Sequence, residues 1–134
     1  MTKEQYLTLG IPAAIALIIC VGSHQFAAWR DRENKRREQR VAYLIGAFRA
    51  LASASHHPRI HEIAKEVEQA IADIQFFGTK AQIELARIFV HALVTKQNAD
   101  LDPLLSSLRD ELRKEIGREA YEGDIVWIKI SEKK

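Results

Sequence analysis

The chain has 134 residues, 47% of them hydrophobic, and a formal net charge of +2. Its single cysteine, Cys20, excludes an internal disulfide and a cysteine metal cluster. From Val41 onward there are 13 Lys and Arg against 14 Asp and Glu. The sequence pI of 8.8 therefore does not mark a nucleic-acid-binding domain, and we expect no nucleic-acid partner.

The first predicted element is a transmembrane helix over residues 6–29, a stretch without Lys, Arg, Asp or Glu. A helix of that length extends roughly 36 Å, and the hydrocarbon core of a bilayer is about 30 Å thick. Tyr6 and Trp29 flank the stretch, as is favoured at the two membrane interfaces. A cleaved signal peptide fits less well, because only Lys3 precedes the stretch and no small-x-small site follows its apolar core. A buried core helix also fits less well, since a small core needs a shorter one.

Residues 30–40 form a charged juxtamembrane segment that continues the same helix. The basic residues of this segment are Arg30, Arg32, Lys35, Arg36, Arg37 and Arg40. Because basic residues stay on the cytoplasmic side, we expect a single-pass protein with its N-terminus outside and its C-terminal domain in the cytoplasm. Two interpretations of the segment remain open: it contacts anionic lipid headgroups, or it is only a topology signal on a solvated helix.

The predicted fold class is all-α, with the transmembrane helix continuing into a small cytoplasmic helical bundle over residues 41–117. The first bundle helix continues from the charged segment and is predicted to end near Ser53 to Ser55. Its apolar stripe is formed by Val41, Leu44, Ile45, Phe48, Leu51 and Ala52. The second helix is predicted from about Arg59 to Phe77, because Pro58 favours the first turn of a helix.

A short turn is predicted between the second and third helices, with Gly78 in a left-handed C′ conformation. Thr79 and Gln82 have the spacing of a capping box, which predicts the start of the third helix. This helix covers about residues 80–96 and has apolar residues on more than one stripe. Such a pattern predicts a central position in the packing.

The fourth helix is predicted over about residues 103–116, with Asp102 as its N-cap and Gly117 at its end. The remaining residues, 118–134, form a C-terminal tail whose stretch 125–130 is strand-like. Its candidate partner-contact residues are Ile125, Trp127, Ile128 and Ile130. Because no second strand is evident in the sequence, the stretch either docks on its own domain or pairs with another chain.

Histidines provide the weak candidates for a metal site. His57 and His61 are four residues apart, a spacing that can place two imidazoles on one metal. Pro58 interrupts a continuous helix through both, and the motif of a zinc protease is not completed. A solvated helix start is the simpler interpretation, and His91 is expected to be partly buried inside the third helix. With no phosphate loop, nucleophile elbow or Cys–His arrangement in the sequence, we expect no enzyme, no catalytic residue and no cofactor.

Three runs of sequence carry a resemblance to a known family. They are REQRVAYLIGAFRAL (residues 37–51), AIADIQFFGTKAQIELA (70–86) and LDPLLSSLRDELRKEIG (101–117). In these runs, and in their order after a single apolar stretch, the chain resembles a family of short uncharacterised bacterial single-span membrane proteins with a cytoplasmic helical domain. The resemblance implies a location in the bacterial inner membrane, and it implies no activity and no functional residues.

Taken together, these features predict a membrane-tethered, non-enzymatic interaction or scaffold module. The alternative is an accessory or regulatory subunit of a membrane-associated enzyme complex. The expected partners are the lipid bilayer and either another protein or a second copy of the chain. Gly10 and Ala14 offer one weak small-xxx-small step for self-association in the membrane.

Overall fold

The computed structural model describes residues 2–55 and 60–127, and all the regular secondary structure within these ranges is helical. The elements are α1 (Lys3–Ser55), a 3-10 helix (Ile60–Ile63), α2 (Ala64–Phe77), α3 (Lys80–Val94) and α4 (Asp102–Glu115). The chain divides into two compact units, Met1–Glu38 and Gln39–Lys134. The predicted all-α class is confirmed for the described residues.

The first unit is a single stretch of helix α1, and its apolar side chains are exposed. Every residue from 2 to 27 is exposed, with Leu17 and Ile18 at 65% and 70% of their full accessibility. Pro12 lies inside the helix without ending it. By length and composition this helix can cross a membrane, and none of its most apolar part is buried by the protein.

The second unit surrounds one hydrophobic core to which all four α-helices contribute. Its fully buried apolar side chains are Leu44, Leu51, Ile74, Leu104, Leu105 and Leu108. The buried face of α1 is turned from the predicted stripe: Tyr43, Ala47 and Ala54 are buried, whereas Val41 and Ile45 are only partly covered. A face that includes two alanines lets neighbouring helices pack close to α1, which explains the difference.

The predicted central position of α3 is wrong. Only Gln82, Ala86 and Phe89 of this helix are buried. Its exposed large hydrophobic residues are Ile83, Ile88, Val90, Leu93 and Val94. Because leucines and isoleucine from α1, α2 and α4 already fill the interior, a single stripe of α3 is enough to complete the core, and its other apolar residues remain outside.

The turn between α2 and α3 confirms the capping box and corrects the role of Gly78. The Thr79 side chain accepts a hydrogen bond from the backbone N–H of Gln82 (3.2 Å), and Gln82 Oε1 accepts one from the N–H of Thr79 (3.1 Å). Gly78 is extended, with φ −75° and ψ 159°, and not left-handed. A glycine is needed here because a Cβ would collide with the carbonyl oxygen of Ile74.

The start of α4 differs from the prediction by one residue. Asp102 is the first residue of the helix and not its N-cap; that position is held by Leu101, without a side-chain cap hydrogen bond. Asp100 Oδ1 accepts a hydrogen bond from the backbone N–H of Asp102 at 2.9 Å, as in an Asx turn. Helix α4 ends as predicted, with Gly117 in the left-handed region at φ +74°. Helix α3 ends at Val94 rather than at residue 96, because Lys96 adopts φ +55°. The predicted start of the second helix at residue 59 lies outside the described residues; α2 itself begins at Ala64.

Candidate membrane interface and docking groove

Aromatic rings and a cation cluster where the apolar stretch of α1 meets the charged segment. The rings of Phe26 and Trp29 have centroids 5.8 Å apart, and the guanidinium of Arg30 lies 4.9 Å from the centroid of Phe26. Arg32 Nε donates a hydrogen bond to the backbone carbonyl of Ala28 at 3.3 Å. Amphipathic rings with adjacent cations are the side chains favoured at the headgroup level of a bilayer.

Most of the predicted interface residues lie in the first unit. Trp29, Arg30, Arg32, Lys35, Arg36 and Arg37 are all exposed on α1, and Tyr6 is exposed near its other end. Arg40 belongs to the second unit, where its Nε lies 3.1 Å from Oε1 of Glu115. This ion pair holds Arg40 against the helical domain, so its main described role is to join α1 to α4.

A groove of about 530 Å³ runs along helices α2 and α3. Its lining residues are Ile71, Gln75, Ile83, Ala86, Arg87, Val90, His91 and Val94. Ile83, Val90 and Val94 follow each other at i, i+7 and i+11, so they form one stripe along α3. The lining is therefore mostly apolar, with polar groups confined to Gln75, Arg87 and His91.

The charges beside the groove are paired. Arg87 Nε donates a hydrogen bond to Oε2 of Glu84 at 3.0 Å, across one turn of α3. This contact lowers the pKa of Glu84 and raises that of Arg87, chiefly through the side-chain hydrogen bond. His91 is exposed beside the groove and not partly buried as expected, because the side of α3 opposite the core carries it. Because the charges of Glu84 and Arg87 cancel at the edge of the groove, the groove is suited to bind an apolar surface.

A smaller pocket of about 100 Å³ includes Tyr43, Phe77 and Gln82 in its lining. The rings of Tyr43 and Phe77 have centroids 5.5 Å apart. Burial, followed by the charges of Asp73 and Glu111, raises the pKa of Tyr43 to about 12. At neutral pH the hydroxyl of Tyr43 therefore keeps its proton and acts as a hydrogen-bond donor.

The described part of the C-terminal tail lies on the chain's own domain. Ile125 and Trp127 are half-buried against the core, whereas Val126 between them is 80% exposed. The Arg109 guanidinium donates hydrogen bonds to the carbonyl oxygens of Tyr121 (2.7 Å) and Gly123 (2.9 Å). Between residues 118 and 127 there is no strand. Ile128 and Ile130 lie outside the described residues.

The histidine candidates are not brought together in the described part of the chain. His57 lies outside it, and His61 is exposed in the 3-10 helix. Over residues 2–55 and 60–127 there is no group of three or more His, Cys, Asp or Glu that could hold a metal ion.

Sequence reasoning missed the groove, and its assignment of a membrane interface to the charged segment stays a prediction. The sequence does show that α3 has a second apolar stripe, but this stripe was interpreted as evidence that the helix is buried on all sides. The core of a small domain can cover only one stripe of such a helix, so the second stripe should have predicted an exposed apolar face. Comparison of the chain with family models, with curated proteins and with solved structures found no match.

Proposed function

We propose that the protein is a membrane-tethered, non-enzymatic interaction module on the cytoplasmic face of a bacterial membrane. The observation that carries the proposal is the exposed apolar groove along α2 and α3, on a chain that also has a charge-free apolar helix. The groove can bind the apolar surface of another protein, and the apolar helix can lie in the hydrocarbon core of a bilayer. The N-terminus lies outside and the helical domain inside, as the basic residues after the apolar stretch favour.

The exposure of the N-terminal helix supports the tether. The charge-free stretch includes the strongly apolar residues 11–21, and in the described chain no protein surface covers them. Apolar surface in contact with water costs about 25 cal/mol per Å², so a helix of this kind is strongly favoured to leave water. Its backbone hydrogen bonds are made within the helix, which is the requirement for a segment in the hydrocarbon core.

The shape of the groove supports a helical partner. Ile83 and Val90 keep 37% and 36% of their accessibility, and Val94 keeps 74%. Side chains at this spacing can hold the apolar face of an amphipathic helix laid along α3. The neighbouring candidate contacts, Ile125 and Trp127, already pack on the chain's own core. The groove is therefore the apolar surface that we assign to a protein partner, and confinement to a membrane raises the effective concentration of both.

Two measurements test the tether. The full chain should remain with membranes in alkaline carbonate, because a lipid-embedded helix is not released by high pH. A reporter that works only in the cytoplasm should be active when it is fused after Lys134, and one that works only outside the cytoplasm should be inactive there. Release into the carbonate supernatant, or activity only of a reporter that works outside the cytoplasm, would contradict the proposal.

Site-specific crosslinking tests the groove with a control on the same helix. A photocrosslinking residue at Val90, inside the groove, should give a discrete product in native membranes. The same residue at Ile88, which is 53% exposed but outside the groove, should not. Equal labelling from both positions, or none from Val90, would contradict docking in the groove. The mass of the product separates a second copy from another protein, and an enzyme whose rate changes without this chain would indicate the accessory-subunit alternative.

A further inference from the structure

We propose that one face of helix α1 binds the headgroups of anionic phospholipids. This face, here named the basic stripe, consists of Arg32, Lys35 and Arg36. The inference rests on the proposed function, because the stripe meets lipid only when the preceding apolar stretch is in a bilayer. It goes beyond that function by naming the class of lipid and the three side chains that select it.

The basic residues of the charged segment include three that are adjacent on one face of α1. Arg32, Lys35 and Arg36 are related by three and four residues and so share this face. The acids Asp31 and Glu38 border it beside Lys35, and Glu33 borders it beside Arg36. Three adjacent cations with acids only at the edges form a surface that can meet an anionic headgroup.

Two cations of the basic stripe are available to a ligand. Lys35 and Arg36 are exposed on α1. Across residues 2–55 and 60–127, the side chains of these two residues take part in no ion pair or hydrogen bond. Arg40, by contrast, is held by Glu115 in the second unit. The stripe therefore has cations that the protein does not itself neutralise.

The side chains of the basic stripe are long enough to reach the headgroup layer. With 1.5 Å of rise per residue, Arg32 and Arg36 lie roughly 4.5 and 10.5 Å beyond Trp29 along the helix axis. Side chains of an α-helix lean toward its N-terminus, which here is the end with the apolar stretch. The hydrogen bond from Arg32 Nε back to the carbonyl of Ala28 shows this direction directly. Since the headgroup layer is about 5–7 Å thick on each side, long cationic side chains from all three positions reach it.

Quenching of Trp29 fluorescence by brominated lipids tests the selectivity with the full chain. The protein is reconstituted in phosphatidylcholine vesicles that contain a minor fraction of either phosphatidylglycerol or phosphatidylcholine brominated on its acyl chains. Trp127 is in the second unit and adds a constant background. We expect the chain to associate with the anionic lipid at least roughly fivefold more strongly, the factor that one well-placed cation provides. High salt should reduce this preference because it screens exposed charges.

The variant Arg32→Gln/Lys35→Gln/Arg36→Gln should lower the preference toward one. Its matched control is Arg49→Gln/Lys65→Gln/Lys96→Gln, which removes the same charge from exposed positions of the second unit and should leave the preference intact. Preserved selectivity in the first variant, or an equal loss in the second, would overturn the proposal. Inorganic phosphate at matched ionic strength should not compete; full competition by phosphate would overturn the assignment to lipid.

Different outcomes would contradict the membrane tether and the lipid selectivity of the basic stripe. If the chain is extracted from the vesicles by alkaline carbonate, the tether itself is wrong. If it stays embedded and Trp29 is quenched equally by both brominated lipids, only the proposed selectivity of the basic stripe is wrong. Circular dichroism of each variant confirms that a change in quenching does not come from loss of helix.

Discussion

The hydroxyl of Tyr43 donates a hydrogen bond to Oε1 of Gln82 at 3.4 Å, and this contact joins α1 to the first turn of α3. The same oxygen accepts the backbone N–H of Thr79. Gln82 is 2% exposed and is the buried polar side chain of the described core. No buried side-chain nitrogen or oxygen in the described residues is without a hydrogen-bond partner. One side chain thus completes a helix cap and a contact between helices.

Substitution of Gln82 by Ala should destabilise the helical domain by about 2 kcal/mol, because it removes the side-chain half of the capping box and leaves the Tyr43 hydroxyl without its acceptor. Urea unfolding of the full chain in detergent, followed by circular dichroism, measures the change. Gln69→Ala is the matched control, since Gln69 is exposed on α2. Similar free energies of unfolding for the two variants would show that the buried amide is not structurally important.

The stability that Tyr43 contributes should depend on pH in the alkaline range. Its folded-state pKa of about 12 lies above its usual value of 10.0, chiefly because of burial. The unfolded chain therefore loses this proton first, so the contribution is fully present below pH 10 and is lost as the pH rises to about 12. The free energy of unfolding of the wild type minus that of Tyr43→Phe isolates the effect from other titrating groups. If this difference in unfolding free energy stays constant between pH 9 and pH 12, the raised pKa of Tyr43 is contradicted.

Substitution of Gly78 by Ala should cost about 1–3 kcal/mol, because the added Cβ meets the carbonyl oxygen of Ile74 and that backbone has to shift. Its φ of −75° is allowed for alanine, so the cost is one of space alone. Gly46→Ala is the natural comparison, since a Cβ at Gly46 on α1 meets nothing within 4 Å. It should stabilise the helix by roughly 0.5–1 kcal/mol. Unfolding free energies that change in the same direction for both variants would refute the steric argument.

Arg109 should hold the C-terminal tail against the domain. Its guanidinium donates hydrogen bonds to the carbonyl oxygens of Tyr121, Gly123 and Asp124 and lies 5.1 Å from the centroid of the Tyr121 ring. Arg109→Lys should release the tail, because an ammonium lacks the planar fork of donors that reaches two acceptors and stacks on a ring. We expect faster amide hydrogen exchange over residues 119–127, by roughly tenfold, the factor for a bond worth about 1.4 kcal/mol. The exposed Arg49→Lys should leave exchange unchanged, and unaltered rates in the Arg109 variant would show that apolar packing alone holds the tail.

Local signals in the sequence predicted the helix ends best. The Thr79 and Gln82 capping box, the end of α1 within residues 53–55 and the end of α4 before Gly117 each depend on a few adjacent residues, and each is found as predicted. The predicted left-handed conformation of Gly78 is wrong, because glycine avoids a steric contact there and does not adopt a positive φ. The N-cap role predicted for Asp102 is also wrong, because α4 already includes this residue.

The candidate sites depend on packing, and there the sequence was less informative. Helical spacing shows that Ile83, Val90 and Val94 share a face, but it does not show whether another helix covers that face. The answer depends on how much volume the leucines of α1 and α4 fill. The charged segment was easier to recognise, because charge next to an apolar stretch has the same meaning whatever packs around it.

Arg109 and Arg113 donate hydrogen bonds to main-chain oxygens of the tail, those of Glu119, Tyr121, Gly123 and Asp124. Such bonds recognise the path of the chain and not the identity of its side chains. Glu119 and Glu122, both exposed, can therefore be exchanged for almost any residue without loss of this attachment. Position 123 differs, because a Cβ there would overlap the ring of Tyr121, and this exposed ring would have to turn away. A library randomised over these positions should return the most varied residues at 119 and 122 and a smaller set at 123.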